Sequence, residues 1–199
     1  MSRYRTRSWR AFDPAVAAAA PPAAAPLPNV RILGLDPGSR RTGFGVLECR
    51  GAELTLLAHG CLNVSAAVPA ARLRMIFEGL AALVGEHTPS EVAVERVFVS
   101  RNVDSALKLG QARGAALCAV PGGVPVFEYA PRAIKLALVG TGAAEKFQVA
   151  HMVRMLLGVH GPLSADAADA LAVAVCHAHT RRLGALAAQQ GATRVRRAQ

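Results

Sequence analysis

ILGLDPGSRRTGFGV, residues 32–46, is the stretch on which the reading of this chain turns. An apolar, strand-forming run ends in a single carboxylate, Asp36. A Pro-Gly turn then leads straight into a second strand-like run. This arrangement presents a carboxylate at the mouth of a sheet, where a divalent cation or a phosphate can reach it. Asp-Pro-Gly is also ordinary turn chemistry. On this segment alone, a hairpin turn and an active-site carboxylate account for the residues equally well.

Working outward, residues 30–35, 43–49 and 53–64 read as three strands joined by short turns, with Gly51 in the second turn. Residues 68–87 place Leu73, Ile76, Phe77, Leu80, Leu83 and Val84 at helical spacing. Pro89 and Ser90 end that helix, and EVAVE (91–95) is a short fourth strand. Residues 102–120 form a second helix and PVFEYA (125–130) a fifth strand; Pro131 suits the first turn of a helix over 132–139. Two more helices follow at 145–158 and 164–183. Three strands in a meander followed by alternating helix and strand predict an α/β fold, a five-stranded mixed sheet flanked by helices.

Three further acids stand in unusual places. Glu95 ends the strand VAVE as Asp36 ends its own, so the two sit side by side if strands one and four are parallel neighbours. Asp166 and Asp169 lie three apart at the start of the last helix and point from one face of its first turn. Each has a plain alternative: a solvated strand end, or acids favoured by the positive end of the helix dipole. The recurrence of strand-end acids, and acids on the otherwise apolar helix DAADALAVAV, count against those alternatives. Clustered carboxylates repel and need a compensating cation, and an all-oxygen site suits magnesium or manganese. Two such ions about 4 Å apart serve phosphodiester cleavage. Lys135 and Lys146 lie in the same half of the chain, where lysines neutralise phosphates or simply sit on helix surfaces.

The 199-residue chain suits one domain with tails. Its net charge of +10 is concentrated at the ends. Residues 1–29 carry four Arg against one acid, and residues 181–199 carry five Arg and no acid. Basic ends on a nearly balanced body point to a polyanion, nucleic acid ahead of membrane. The Ala/Pro-rich segment 15–28 is expected to form no packed element, and it matches a secretory signal poorly. No uninterrupted apolar stretch of about 18 residues occurs, so no membrane span is expected. Cys49, Cys61, Cys118 and Cys176 form no C-x-x-C pair, and their apolar surroundings favour buried, reduced thiols in a cytoplasmic protein. The six histidines show no zinc spacing, and His177 reads as an ordinary core or surface residue.

The strings DPGSRRTGFGV, AVERVF, NVDSALKLGQARG, PVFEYAPRAIK, GAAEKFQVAHMV and DAADALAVAVCHAH, in this order and spacing, resemble the RuvC family of bacterial Holliday-junction resolvases over residues 30–180. The resemblance implies a ribonuclease H-like fold and a homodimer. It implies paired, symmetric nicks in four-way DNA junctions during recombination and DNA repair. It implies Mg²⁺, with Mn²⁺ as an alternative and two ions per site, held by Asp36, Glu95, Asp166 and Asp169. Lys135 and Lys146 match the family's important basic residues. Phe98 matches an aromatic that stacks at the opened junction centre. A RuvA–RuvB branch-migration complex is the further partner implied. The expected organisation is a basic Ala/Pro-rich tail at 1–29, a nuclease domain at 30–183 and a basic tail at 184–199. The extra 29 residues before the first strand and the short, Gly/Pro-rich segment AVPGGVPV depart from the family pattern.

Other readings fit less well. The YqgF-like branch shares the early motif but lacks the NVDSALKLGQARG helix. An actin-like ATPase needs a second phosphate loop and a longer chain. A junction-binding module without catalysis needs no set of four acids.

Overall fold

A computed structural model describes residues 28–65, 68–96 and 102–197 of the chain. The elements run β1 (Val30–Asp36), β2 (Arg41–Arg50), β3 (Glu53–Asn63), α1 (Pro69–His87), β4 (Glu91–Glu95) and α2 (Val103–Cys118). They continue with β5 (Val126–Tyr129), α3 (Pro131–Val139), α4 (Lys146–Leu157) and α5 (Ala165–Arg197). The five strands lie in the order β3-β2-β1-β4-β5. The pairs β3–β2 and β2–β1 are antiparallel; β1–β4 and β4–β5 are parallel. The expected mixed sheet is therefore present, with strands one and four as parallel neighbours.

β1 is central and buried on both faces, which is why VRILGLD is nearly continuously apolar. The period of two divides its side chains between two cores. Ile32 packs with Leu47 and Ala93 under α3, α4 and α5. Leu33 and Leu35 pack with Val46, Val92 and Val94 under α1 and α2. The result is three layers: two helices, the sheet, three helices.

The same alternation decides which acids can meet. Asp36 shares the parity of Ile32, and Glu95 the parity of Ala93, so both carboxylates emerge on the face covered by α5. Glycines let that helix lie close. A Cβ on Gly34 would collide with the Ala170 carbonyl oxygen, and one on Gly43 with the Asp166 carbonyl. Gly43 is the direct cross-strand partner of Asp36. The first turn of α5 thus comes down beside the end of β1.

Two sequence-based expectations need correction. α5 runs on to Arg197 instead of ending at 183. Ala, Leu and Gln at 185–190 are good helix formers, and Gly184 is a tolerated interruption. Of the four cysteines, Cys49 and Cys176 are buried, Cys61 is half-buried and Cys118 is exposed at the end of α2; all are free thiols. Among the described residues, no helix is long and apolar enough to cross a membrane.

Candidate active site

Local sequence fixes each side chain of the acidic face. Ser164 caps α5, its Oγ accepting from the Ala167 N–H at 3.2 Å, so Asp166 and Asp169 occupy the first turns at the positive end of the helix. On α4 the sequence EKFQ forms a capping box, in which the Gln148 Oε1 accepts from the Glu145 N–H at 2.8 Å. Lys146 is thereby set at the first helical position. Pro131 opens α3 and places Lys135 one turn in.

These elements enclose a cleft of about 210 Å³ lined by Glu95, Pro131, Ile134, Lys135, Lys146, Val149, Asp169 and Ala172. Lys146 Nζ donates to Asp169 Oδ2 at 3.0 Å. The neighbouring Glu145, the more obvious partner in sequence, makes no such pair. Asp166 turns the other way, toward β2 and β3. Arg41 Nε lies 3.0 Å from its Oδ2, and the Cys61 thiol lies 3.6 Å from the same oxygen. The two helix acids therefore splay around the strand ends, each held by its own cation. Neither Arg41 nor Cys61 was singled out from sequence. The signal available was parity: Cys61 pairs directly with Gly43, the residue on which Asp166 rests.

Asp36 sits between them. Burial, and then the charges of Asp169, Glu95 and Asp166, push its carboxyl up to about 7, against the opposing pull of Lys146. Glu95 is raised as well, by burial first and by Asp169 second, while Lys146 and Lys135 lower it. Lys146 is raised in turn by its hydrogen bond to Asp169. The four carboxylates of the sequence reading thus share one electrostatic neighbourhood. Lys135 and Lys146 border it, and Phe98 lies outside the described residues.

The donors are all oxygen, partly buried and mutually repulsive, which fits a hard divalent cation. Among the described residues, no three acid, histidine or cysteine side chains form a closed metal cage, the helix acids being engaged by Arg41 and Lys146. At the opposite end of β4, His177 is 2 % exposed. It meets Tyr129 Oη at 2.6 Å and Glu91 Oε2 at 2.7 Å, while Arg181 Nε donates to Glu91 Oε1 at 2.9 Å. This is a satisfied polar network in the core, in keeping with the plain reading of His177.

Residues 32–177 match the family profile of the crossover junction endodeoxyribonuclease RuvC. The chain belongs to the RuvC family. RuvC proteins are enzymes that hydrolyse DNA, and curated relatives cover most of the chain. The RuvC of Methylococcus capsulatus is 58 % identical over 153 residues, covering 76 % of this chain and 92 % of the relative. That of Marinobacter nauticus is 56 % identical over 149 residues, covering 74 % and 85 %. The solved structure of T. thermophilus RuvC in complex with Holliday junction substrate superposes with a TM-score of 0.73 at 39 % identity, covering 78 % of this chain and 97 % of that one. The yeast mitochondrial Holliday junction resolvase Ydc2 superposes with a TM-score of 0.58 at 11 % identity, covering 79 % and 86 %, a likeness of fold alone. The fold is the ribonuclease H-like fold that RuvC and other resolvases share.

Proposed function

We propose that this chain is a structure-selective endonuclease that resolves four-way DNA junctions by paired, symmetric nicks in recombination and repair, with Asp36, Glu95, Asp166 and Asp169 as its catalytic and metal-holding acids. One observation carries this reading. The parallel ends of β1 and β4 deliver two carboxylates to the face on which the first turn of α5 brings two more.

When bound there, Mg²⁺ or Mn²⁺, in a pair, supplies the charge neutralisation and Lewis acidity of phosphodiester hydrolysis. Asp36 and Glu95 provide fixed oxygens from rigid strand ends. Lys146 holds Asp169 and adds positive charge at the rim, where a strand phosphate passes, and Lys135 does the same from α3. Phe98 completes the reading as the aromatic that stacks at the junction centre. The enzyme acts as a homodimer in the cytoplasm, alongside a RuvA–RuvB branch-migration complex. Residues 30–183 form the nuclease domain, and the arginines of 1–29 and 184–199 add salt-sensitive affinity for DNA.

Synthetic four-way junctions with labelled arms, incubated with Mg²⁺ or Mn²⁺ and mapped for nick positions, test the reading. Symmetric nicks are expected in opposing strands. Asp36→Asn and Glu95→Gln lower the nicking rate by at least roughly 10²-fold while junction binding persists. A variant that nicks at near the parental rate would remove that acid from the mechanism.

A further inference from the structure

Arg113 has no part in the reading above, yet its surroundings tie it to the cleft. It lies on α2 with its side chain only 13 % exposed. One terminal nitrogen donates to the backbone carbonyl of Glu95 at 2.6 Å, and the other to Glu128 Oε1 at 2.6 Å. A guanidinium so removed from water is costly unless paired and hydrogen-bonded, and here both requirements are met by those two partners.

The contact falls where the strand loses its neighbour. Pairing of β4 with β1 ends at Leu35–Val94, one residue before Glu95. The peptide plane after Glu95 is held instead by two hydrogen bonds. Its carbonyl accepts from Arg113, and its N–H, that of Arg96, donates to the Tyr129 carbonyl at 2.7 Å. Arg96 Nε also approaches Glu128 at 3.8 Å, so Glu128 sits between the two arginines. The Glu95 side chain lines the cleft, whereas Arg113 is not among the residues that line it.

We propose that Arg113 is a positioning residue for Glu95: it locks the peptide plane that follows the carboxylate and so sets where that carboxylate stands in the cleft. This rests on the reading of Glu95 as a catalytic acid. Arg113 is half-buried behind the strand end with both terminal nitrogens engaged, so its role is in the rate and the metal requirement, not in holding DNA.

The test compares Arg113→Ala, Arg113→Lys and Glu128→Gln with Glu95→Gln. Four quantities are read: the single-turnover nicking rate at saturating junction, the Mn²⁺ concentration giving half that rate, Mn²⁺ binding without DNA by electron paramagnetic resonance, and junction affinity in EDTA. Arg113→Ala is expected to lower the rate roughly tenfold or more through misplacement of one group. It also weakens Mn²⁺ binding and raises the Mn²⁺ requirement, with junction affinity held within about twofold because no phosphate contact is lost. Arg113→Lys recovers part of the rate, and Glu128→Gln, which leaves the carbonyl contact intact, has the smaller effect. A parental rate and Mn²⁺ requirement in Arg113→Ala, or a loss of junction affinity matching the loss of rate, overturns the proposal. If the alanine variant does not fold, the lysine variant is decisive: a partial fall in rate with a raised Mn²⁺ requirement supports the proposal, and parental values overturn it. Glu95→Gln separates the two levels. If it is inactive while the Arg113 variants are parental, only this proposal fails; if it is active, the reading of Glu95 fails beneath it.

Discussion

At Asp36, burial and three neighbouring acids push the carboxyl in one direction and Lys146 pulls it in the other, with a net displacement from the ordinary 3.8 to about 7. The folded protein therefore binds a proton that the unfolded chain has already released between those two values. The stability this group contributes is complete below about pH 4 and is lost as pH rises through 7. The displacement corresponds to roughly 4 kcal/mol. Without divalent metal, Asp36→Asn should raise the stability measured by urea unfolding at pH 8 by about 2–4 kcal/mol and leave it nearly unchanged at pH 4. Equal effects at both pH values would mean that burial and the neighbouring acids do not raise Asp36 as described. Lys146 makes the converse case. Its side chain is 84 % exposed and its pair with Asp169 is of the surface kind, so Lys146→Ala should cost less than about 1 kcal/mol of stability. The same change should slow nicking roughly tenfold or more, since the charge beside the cleft is lost. Melting curves and nicking rates on the same preparations separate the two effects.

Among the elements, the seam between α5 and the sheet is the most exacting. Gly43 accepts the backbone of Asp166 directly against its Cα, and backbone cannot turn aside as a side-chain tip can. Gly43→Ala should lift the first turn of α5, costing about 1–3 kcal/mol as other overpacked sites do. Nicking should fall much further than stability, with junction binding retained, because Asp166 and Asp169 move away from Asp36. Gel-shift and nicking assays at a temperature well below the melting point check this. The strand-end acids were legible in the sequence because each interrupts an apolar run, and alternation assigns each to a face. Their adjacency was conditional on the pairing of β1 with β4, which local pattern does not encode. Arg41 and Arg113 were not legible at all. Arg41 reads as one of two consecutive surface arginines, and Arg113 as a polar position between Ala112 and Gly114; their contacts depend on how separate elements approach. The length of α5 was missed because a glycine after an apolar run reads as a stop, although Ala-rich sequence on its far side supports continuation.

For the molecule as a whole, α2 offers the surface that bears on assembly. Ala112 and Ala116 pack inward against the layer beneath α1, while Val103 and Leu107 are 69 % and 62 % exposed. Nothing crowds Gly110 or Gly114. In the homodimer proposed above, a second copy of the same helix would lie there with close backbone approach, and a two-fold pair of subunits matches the approximate two-fold symmetry of a four-way junction. Leu107→Glu should shift sedimentation at micromolar concentration from dimer to monomer and abolish paired nicking, with the fold of each subunit unchanged. A variant that stays dimeric would move the interface elsewhere.

The close seat of α5 on Gly43 also bears on inheritance. In the homodimer proposed above, a Gly43→Ala chain, altered at the seat of α5 and not on α2, would still pair with unaltered subunits and still take up junctions. Each mixed pair then opens one strand and leaves its opposite intact, and the trapped junction is withheld from competent enzyme. One added methyl group would make the altered copy dominant over the normal one, whereas loss of the whole chain would be recessive.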